Sequence, residues 1–204
     1  GLAAHVHRWT RECDKKLHKL ICYIHSTIHY KQYAWIGDEA PQVEPHLYAD
    51  ADLGGCTSTN RSNSGALIAL RGPNSNFPLA AQGVRQSCVS TSTAESELVS
   101  MFHAMKKYGL PALSIWKVLF ERDVMLHVHE DNTTAIRVIE TGRNPSMRHM
   151  NRTQRISISW MYEIFQSSDI WLQHCESAKM CADIFTKAFS QGDKWQLVCE
   201  LINI

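Results

Sequence analysis

The sequence predicts a mixed α/β sheet, and three observations carry that prediction. Three short segments between residues 46 and 86 have the alternation or the apolar runs of strands, and tight turns join them. After residue 90 the apolar spacing changes to steps of three and four, which is typical of helices. Two further strand-like segments then alternate with helices. This order indicates an α/β domain that begins as an antiparallel meander.

Length and composition narrow the class of protein further. The chain has 204 residues, with 44% hydrophobic and 20% charged, which is ordinary for a globular protein. Its formal net charge is +1, so any affinity for nucleic acid requires a local basic patch. No apolar run reaches the ~18 residues of a transmembrane helix. Seven scattered cysteines without a C-x-x-C pair indicate reduced thiols in an intracellular protein, cytoplasmic or nuclear.

The first half of the chain supplies a helix, a linker and three strands. Apolar residues at helical steps predict one amphipathic helix over residues 2–30, and the Pro- and Gly-containing stretch 31–45 predicts a linker. The strand that follows ends at a glycine turn, and the PNSN turn at 73–76 favours a hairpin. The predicted strands are residues 46–52, 65–72 and 77–86.

The second half predicts mainly helices, with caps that mark their ends. Ser92 and Glu95 form a capping box that opens a helix, and Gly109-Leu110-Pro111 is expected to break it. Asn132 or Thr133 caps a later helix that stops at Gly142. The predicted strands are residues 125–131 and 170–175, and the predicted helices are 112–122, 132–142, 148–166, 181–189 and 193–204.

Acidic residues fall at the ends of these elements. Asp50 and Asp131 each end a predicted strand, Glu95 and Glu97 lie in the first turns of a helix, and Asp183 begins another. Carboxylates gathered at one edge of a sheet would repel one another unless a hard dication such as Mg²⁺ or Mn²⁺ were bound. Each acid also has a simpler explanation: Asp131, for instance, could cap the helix that follows it.

His127 and His129 share a predicted strand face with Asp131. We expect them to be packed or edge histidines, because no third nitrogen or sulfur ligand accompanies them.

Six motifs occur in one order between residues 46 and 190: YADADLGG, RSNSGALI, STAESELVS, HEDNTTAI, RHM and ADIFTKAF. In this combination the chain resembles the ribonuclease H domain of copia-type LTR retrotransposon polyproteins. The segment LHKLICYIHST resembles the tail of the reverse transcriptase that precedes that domain. The resemblance implies a ribonuclease H-like five-stranded sheet whose first three strands are antiparallel. It divides the chain into a reverse transcriptase helix (1–30), a linker (31–45) and a ribonuclease H-like domain (46–204).

The resemblance also implies hydrolysis of the RNA strand of RNA–DNA hybrids by two Mg²⁺ ions, for which Mn²⁺ could substitute. The implied metal ligands and catalytic residues are Asp50, Glu97, Asp131 and Asp183. Asp50 would bridge both ions, Glu97 and Asp131 would hold the leaving-group side, and Asp183 the nucleophile side. Asp52 and Glu95 are the alternatives to Asp50 and Glu97. Asp50 is preferred because it ends the strand alternation, and Glu97 because Glu95 already has a role in the capping box.

The expected partners are an RNA–DNA hybrid and the reverse transcriptase portion of the same polyprotein. Candidate contacts to the nucleic-acid backbone are Arg61, Asn63 and Ser64, with Arg148 and Arg152 as further candidates; the role of His149 stays open.

Two rival functions share the fold. One is a nuclease or strand-transfer enzyme of the integrase type, against which the absence of a zinc-binding module counts. The other is a non-catalytic domain that binds hybrid or tethers the polymerase.

Overall fold

The computed structural model describes residues 2–204, apart from the side chain of Ala4, and divides into two compact units. Gly1, the first residue of the predicted segment 1–30, lies outside the described residues. One unit runs to Gln32 and includes Ile204, and the other is Tyr33–Asn203.

The N-terminal unit contains two helical segments where the sequence predicts one. A 3₁₀ helix, Leu2–Arg8, precedes helix α1 (Arg11–Ser26). The prediction of an uninterrupted helix is therefore wrong, and Thr10 explains why. Its backbone is extended (φ −129°, ψ 164°), as the residue before a helix usually is. Its carbonyl then accepts the first hydrogen bonds of α1, from the N–H groups of Cys13 and Asp14.

The second unit contains a five-stranded sheet in the order β3-β2-β1-β4-β5. β1 pairs antiparallel with β2, and β2 antiparallel with β3, whereas β4 runs parallel to both β1 and β5. The prediction of a mixed sheet with three antiparallel first strands is confirmed. The strands are β1 (Glu44–Ala51), β2 (Asn63–Gly72), β3 (Ser75–Arg85), β4 (Leu126–Glu130) and β5 (Ile170–His174).

Helices cover the two faces of this sheet unequally. The larger hydrophobic core buries β1 residues such as Leu47 and Ala49 against Leu98 and Met101 of the helix Thr93–Ala104. A smaller core on the other face contains Tyr48, Leu67, Met180 and Ile202. The α-helices are α2 (Thr93–Ala104), α3 (Leu110–Phe120), α4 (Thr133–Thr141), α5 (Met150–Thr153), α6 (Ile158–Phe165) and α7 (Gly192–Leu201).

The helix break predicted at Gly109-Leu110-Pro111 is wrong. A π-helical segment, Met105–Gly109, joins α2 directly to α3, and the Leu110 N–H donates to the Met105 carbonyl five residues earlier. A π turn leaves room for a proline ring that would clash with the preceding turn of a regular α-helix. The chain thus accommodates Pro111 without ending the helix.

Two other predicted helices are shorter than expected. The helix predicted over residues 148–166 is interrupted, because α5 ends at Thr153 and Arg155 has a positive φ of 58°. Ser157 then caps α6 by accepting the Trp160 N–H at 3.1 Å. In place of a helix over 181–189, a 3₁₀ helix spans Cys181–Phe185. Within residues 2–204, no helix has both the length and the apolar character needed to cross a bilayer.

Candidate metal centre

The parallel pairing of β1 with β4 brings two acids to one edge of the sheet. Tyr48 of β1 is in register with His129 of β4. Asp50 and Asp131 each lie two residues further along, so both fall at the carboxyl ends of the strands. β4 ends at Glu130, which places Asp131 just beyond the strand instead of at its last position. Asp50 is 1% exposed, and Asp131 is half-buried.

A close approach at Gly65 brings the last predicted acid to the same edge. Gly65 is the register partner of Asp50 on β2. A Cβ atom at Gly65 would lie 2.7 Å from the Ala182 carbonyl oxygen and 2.8 Å from Cγ2 of Thr186. The missing side chain therefore lets the segment around Asp183 lie directly on the sheet. The Thr186 hydroxyl donates to Oδ2 of Asp50, which ties this segment to β1.

The two glutamates near the start of α2, Glu95 and Glu97, have different contacts. Ser92 caps the helix by accepting the Glu95 N–H at 3.2 Å, as the capping box predicts. The Glu95 carboxylate accepts the Thr91 N–H at 2.7 Å and pairs with Nε2 of His149 at 3.0 Å. Glu95 thus serves the helix end, while the buried Glu97 is the α2 residue that joins the acidic cluster.

The acids form two groups that share one member. Carboxylate oxygens of Asp50, Asp131 and Asp183 lie within 4.8 Å of one another, and so do those of Glu97, Glu130 and Asp131. The structure thus brings all four predicted ligands together; their role as ligands stays a prediction.

Glu130 is the member that sequence reasoning missed. It is fully buried, on the same strand face as Leu126 and Val128, both of which belong to the larger core. The signal was present in the sequence: strand alternation from Leu126 places Glu130 at an inward-facing position, where an unpaired acid is rare.

Crowding and burial raise the proton affinity of several of these groups. Burial, reinforced by the charges of Glu130, Asp50 and Asp131, raises the pKa of Glu97 to about 11. Burial likewise raises the pKa of Glu130 well above its ordinary value. The pKa of Asp183 rises to about 6, mainly through burial and against the lowering effect of its hydrogen bond to Lys187. The surroundings of the cluster therefore do not stabilise full ionisation of all its carboxylates.

Two buried oxygens show that the cluster fits a cation. Oε2 of Glu97 and Oε2 of Glu130 have no hydrogen-bond partner although both are buried. Buried polar atoms normally have partners, so these two point to a group that binds carboxylate oxygen. An all-carboxylate donor set favours hard dications such as Mg²⁺ and Mn²⁺. An open cavity of about 410 Å³ lies over the cluster and is lined by Asp50, Asp52, Glu97, Asp131 and Lys187 among others.

Asp131 and Asp52 differ in what they contact. Asp131 is not the cap of α4, because the Asn132 side chain accepts the N–H groups of Thr134 and Ala135, at 3.0 Å each. Asp131 instead accepts the Ser177 hydroxyl at 2.7 Å. Asp52 binds Asn63, through the backbone N–H and through Nδ2 at 2.8 Å, and so closes the loop between β1 and β2. Among the described residues, it joins neither acid group.

The predicted nucleic-acid contacts come from two separate stretches of the chain and differ in exposure. Arg61 and Asn63 are half-buried near the start of β2, whereas Arg148 and Arg152 are exposed. Ser64 is buried, and its hydroxyl already accepts Nε2 of Gln86 at 3.0 Å. These five assignments stay predictions.

The histidines of β4 pack against their neighbours, as expected. His129 is 8% exposed, stacks on Tyr48 with ring centroids 4.1 Å apart, and its Nε2 lies 2.9 Å from Nδ1 of His46. Burial lowers the pKa of His129 to about 3 and that of His46 to about 2. Both rings are therefore neutral members of a stacked array.

A solved structure shares this architecture. LC11 ribonuclease H1 was isolated from compost by a metagenomic approach and solved with an RNA/DNA hybrid. It is 13% identical to this chain, and the TM-score is 0.50. The match covers 70% of this chain and 94% of that one. At that identity the likeness shows the fold alone. This chain has a ribonuclease H-like fold.

Two other ribonuclease H structures align with lower scores. The N-terminal ribonuclease H domain of Rv2228c from Mycobacterium tuberculosis is 12% identical, with a TM-score of 0.44 over 78% of this chain and 97% of that one. The PFV ribonuclease H domain is 17% identical, with a TM-score of 0.43 over 79% and 93%. No protein-family model matches the sequence.

Proposed function

We propose that this ribonuclease H-like chain hydrolyses the RNA strand of RNA–DNA hybrids with divalent metal ions, Mg²⁺ or Mn²⁺. The observation that carries the proposal is the buried acidic cluster at the sheet edge, in which Glu97 and Glu130 each keep an oxygen without a partner. The hybrid in the LC11 ribonuclease H1 structure supports the substrate class.

The residues of the cluster have distinct places in the proposed reaction. Divalent ions, when bound, supply a hydroxide nucleophile near neutral pH and stabilise charge on the leaving oxygen. Asp50 and Asp131 would be the central ligands, because Asp131 belongs to both acid groups and Asp50 lies with it in one of them. Asp183 and Glu97, which belong to different acid groups, would hold opposite sides of the centre. Glu130 would supply an additional oxygen on the Glu97 side.

A basic groove beside the sheet supports binding of the nucleic-acid backbone. The groove has a volume of about 620 Å³ and lies between β3 and α2 with its π-helical extension. Its cationic lining residues are Arg85, Lys106 and Lys107. His103 also lines the groove, but burial and the charge of Lys106 lower its pKa. Sequence reasoning missed them because they come from separate elements. With a net charge of only +1, such local clusters must supply the attraction to phosphate. Contacts to 2′-hydroxyl groups would distinguish RNA from DNA.

We further propose that residues 1–30 are the C-terminal helical segment of a reverse transcriptase, as the copia-type resemblance implies, and that 31–45 joins this segment to the ribonuclease H-like domain. In support, α1 leaves Leu20, Ile21 and Ile24 about half exposed, an apolar face that a polymerase domain could cover. The seven cysteines are unpaired, in keeping with the proposed cytoplasmic or nuclear location.

A labelled RNA–DNA hybrid tests the proposal directly. We expect cleavage of the RNA strand in Mg²⁺ and none in EDTA. Cleavage of duplex DNA but not of hybrid would instead favour a nuclease or strand-transfer enzyme of the same fold. Metal-independent binding without cleavage would favour a tethering domain.

A further inference from the structure

We propose that Lys187 is a tethered counter-cation that occupies the Asp50–Asp183 side of the acidic cluster and must leave when a divalent ion binds there. This inference rests on the proposed metal-dependent function and assigns that function a competing group within the chain.

The contacts of Lys187 place its ammonium group between two predicted ligands. Its Nζ lies 2.6 Å from Oδ1 of Asp183 and 3.3 Å from Oδ1 of Asp50. Mg²⁺ would bind carboxylate oxygens at about 2.1 Å. An ion that takes these two oxygens therefore competes with the ammonium group for them.

The two sides of the cluster differ in this respect. On one side, Asp50 has a partner for each of its oxygens, Thr186 for Oδ2 and Lys187 for Oδ1. On the other side, Glu97 and Glu130 each have a buried oxygen without any partner. Lys187 thus neutralises the Asp183 side in the absence of metal and leaves the glutamate side without a counter-charge. The expected consequence is weaker divalent binding on the side that Lys187 occupies.

Lys187 is also free to leave. Its side chain is 38% exposed, and it stands on the chain that follows the 3₁₀ helix Cys181–Phe185, at the wall of the open cavity. The long, flexible stem of a lysine lets the ammonium group move into solvent or toward a bound phosphate without displacing the backbone. The position is thus suited to a reversible exchange with metal.

Mn²⁺ titration of the full chain tests the proposal without relying on activity. The variant is Lys187→Met, and the matched control is Lys179→Met, which removes an exposed lysine paired with Glu176 on the preceding turn. Calorimetry in metal-free buffer would measure the number of Mn²⁺ sites and the Kd of each. We expect Lys187→Met to tighten one site at least ~10-fold, since a cation a few Å from a dication repels it strongly, and Lys179→Met to match the wild type.

A second measurement uses the wild-type protein and needs no variant. An amine-reactive acetylating reagent, followed by mass spectrometry, gives the modification rate of each lysine. We expect Lys187 to react slowly in EDTA and several-fold faster in saturating Mg²⁺, with the rate at Lys179 unchanged.

The outcomes separate this inference from the proposed function. Equal Mn²⁺ affinities in the wild type and Lys187→Met, or a Lys187 acetylation rate that Mg²⁺ does not change, would overturn the role of Lys187 and leave the metal-dependent function intact. Absence of Mn²⁺ binding in the wild type and in both variants would overturn the proposed function together with this inference.

Discussion

Asp131 and Asn132 are adjacent polar residues at the end of β4, and the structure gives them different tasks. Asn132 caps α4, which frees Asp131 to face the other acids. Asp131→Asn should therefore leave the fold intact but lower the rate of hybrid cleavage at least ~100-fold, about 2.7 kcal/mol of transition-state stabilisation. Initial rates on a labelled hybrid in saturating Mg²⁺ measure the effect.

Asp50, near the end of β1, and Asp52, just beyond that strand, provide the control for that variant. Asp50→Asn should behave like Asp131→Asn, whereas Asp52→Asn should keep most of the activity because Asp52 binds Asn63 and belongs to neither acid group. Wild-type cleavage by Asp131→Asn would contradict the assignment of Asp131. Loss of activity in Asp52→Asn but not in Asp50→Asn would move the first ligand two residues further along the chain, to the loop after β1.

The raised pKa of Glu97 predicts how the metal-free protein responds to pH. In the folded state the pKa of Glu97 is about 11, against a usual value of 4.5. At a pH between those values, the folded protein holds a proton at Glu97 that the unfolded chain releases. The contribution of Glu97 to the free energy of unfolding is therefore lost as pH rises. In EDTA we expect the Tm to fall between about pH 5 and about pH 8.

A neutral replacement of Glu97 checks whether this residue causes the fall of Tm with pH. Glu97→Gln should flatten the slope and raise the Tm at pH 8 by about 2–4 °C, which corresponds to ~1 kcal/mol in a domain of this size. Glu140→Gln, on the exposed side of α4, should change neither value. If Tm fell with pH as steeply in Glu97→Gln as in the wild type, other groups would be the cause of the pH dependence.

Glu130 marks the limit of what the sequence could reveal at this scale. The four predicted acids lie at the ends of elements, where local patterns and the family resemblance both point to them. Glu130 follows the strand alternation into the core, and the sequence alone does not show that its neighbour there is Glu97. That proximity depends on the packing of α2 against β1, which the larger hydrophobic core produces.

At the scale of elements, Gly65 controls how closely the Asp183 segment approaches the sheet. A Cβ atom there would lie 2.7 Å from the Ala182 carbonyl oxygen, so Gly65→Ala should push the 3₁₀ helix away from Asp50. We expect a loss of stability of ~1–3 kcal/mol, as for other overpacked sites, and weaker Mn²⁺ binding. Thermal unfolding and Mn²⁺ titration measure the two effects.

A second glycine serves as the control for steric crowding. Gly192 begins α7, and a Cβ atom there meets nothing within 4 Å. Gly192→Ala should therefore leave Mn²⁺ binding unchanged and stability equal or slightly higher. If Gly65→Ala bound Mn²⁺ as tightly as the wild type, the close approach at Gly65 would not be what positions Asp183.

Local signals predicted the elements well where local chemistry sets their limits. Ser92, Asn132 and Gly142 begin or end helices through their own side chains or, for Gly142, through a positive φ of 69°. Three of the errors occur where packing between turns or elements decides. The π-helical segment before Pro111 and the left-handed Arg155 depend on neighbouring turns, and the 3₁₀ helix at Cys181 lies against β2, far away in sequence.

At the scale of the whole molecule, the segment before β1 belongs with the sheet. Asp38 accepts the Ser75 hydroxyl at 2.6 Å and the Asn74 N–H at 2.7 Å, and Trp35 bridges to Asn76. A protein that starts at Tyr33 should therefore keep its Tm and its Mn²⁺ affinity. One that starts at Val43 should keep the acidic cluster but unfold at lower temperature. Calorimetric scans and Mn²⁺ titration compare them. Loss of Mn²⁺ binding in the Tyr33 protein would show that the first 32 residues support the metal centre.

Hybrid binding should depend on salt in a way that the overall charge does not predict. A net charge of +1 gives almost no attraction to phosphate, so the basic groove between β3 and α2 must supply it. Contact with roughly 4–6 phosphates predicts a slope of log Kd against log salt of about 4 to 5, taking ~0.9 per phosphate from duplex DNA.

Removing Lys106 and Lys107 by substitution with Met should reduce that slope by about 1–2, while Lys194→Met, on the exposed side of α7, should leave it unchanged. Titrations in EDTA, where the hybrid stays uncleaved, give these slopes. A slope near zero in the wild type would rule out recognition of the nucleic-acid backbone. A slope equal to that of the wild type in the Lys106/Lys107 variant would place that recognition outside the groove.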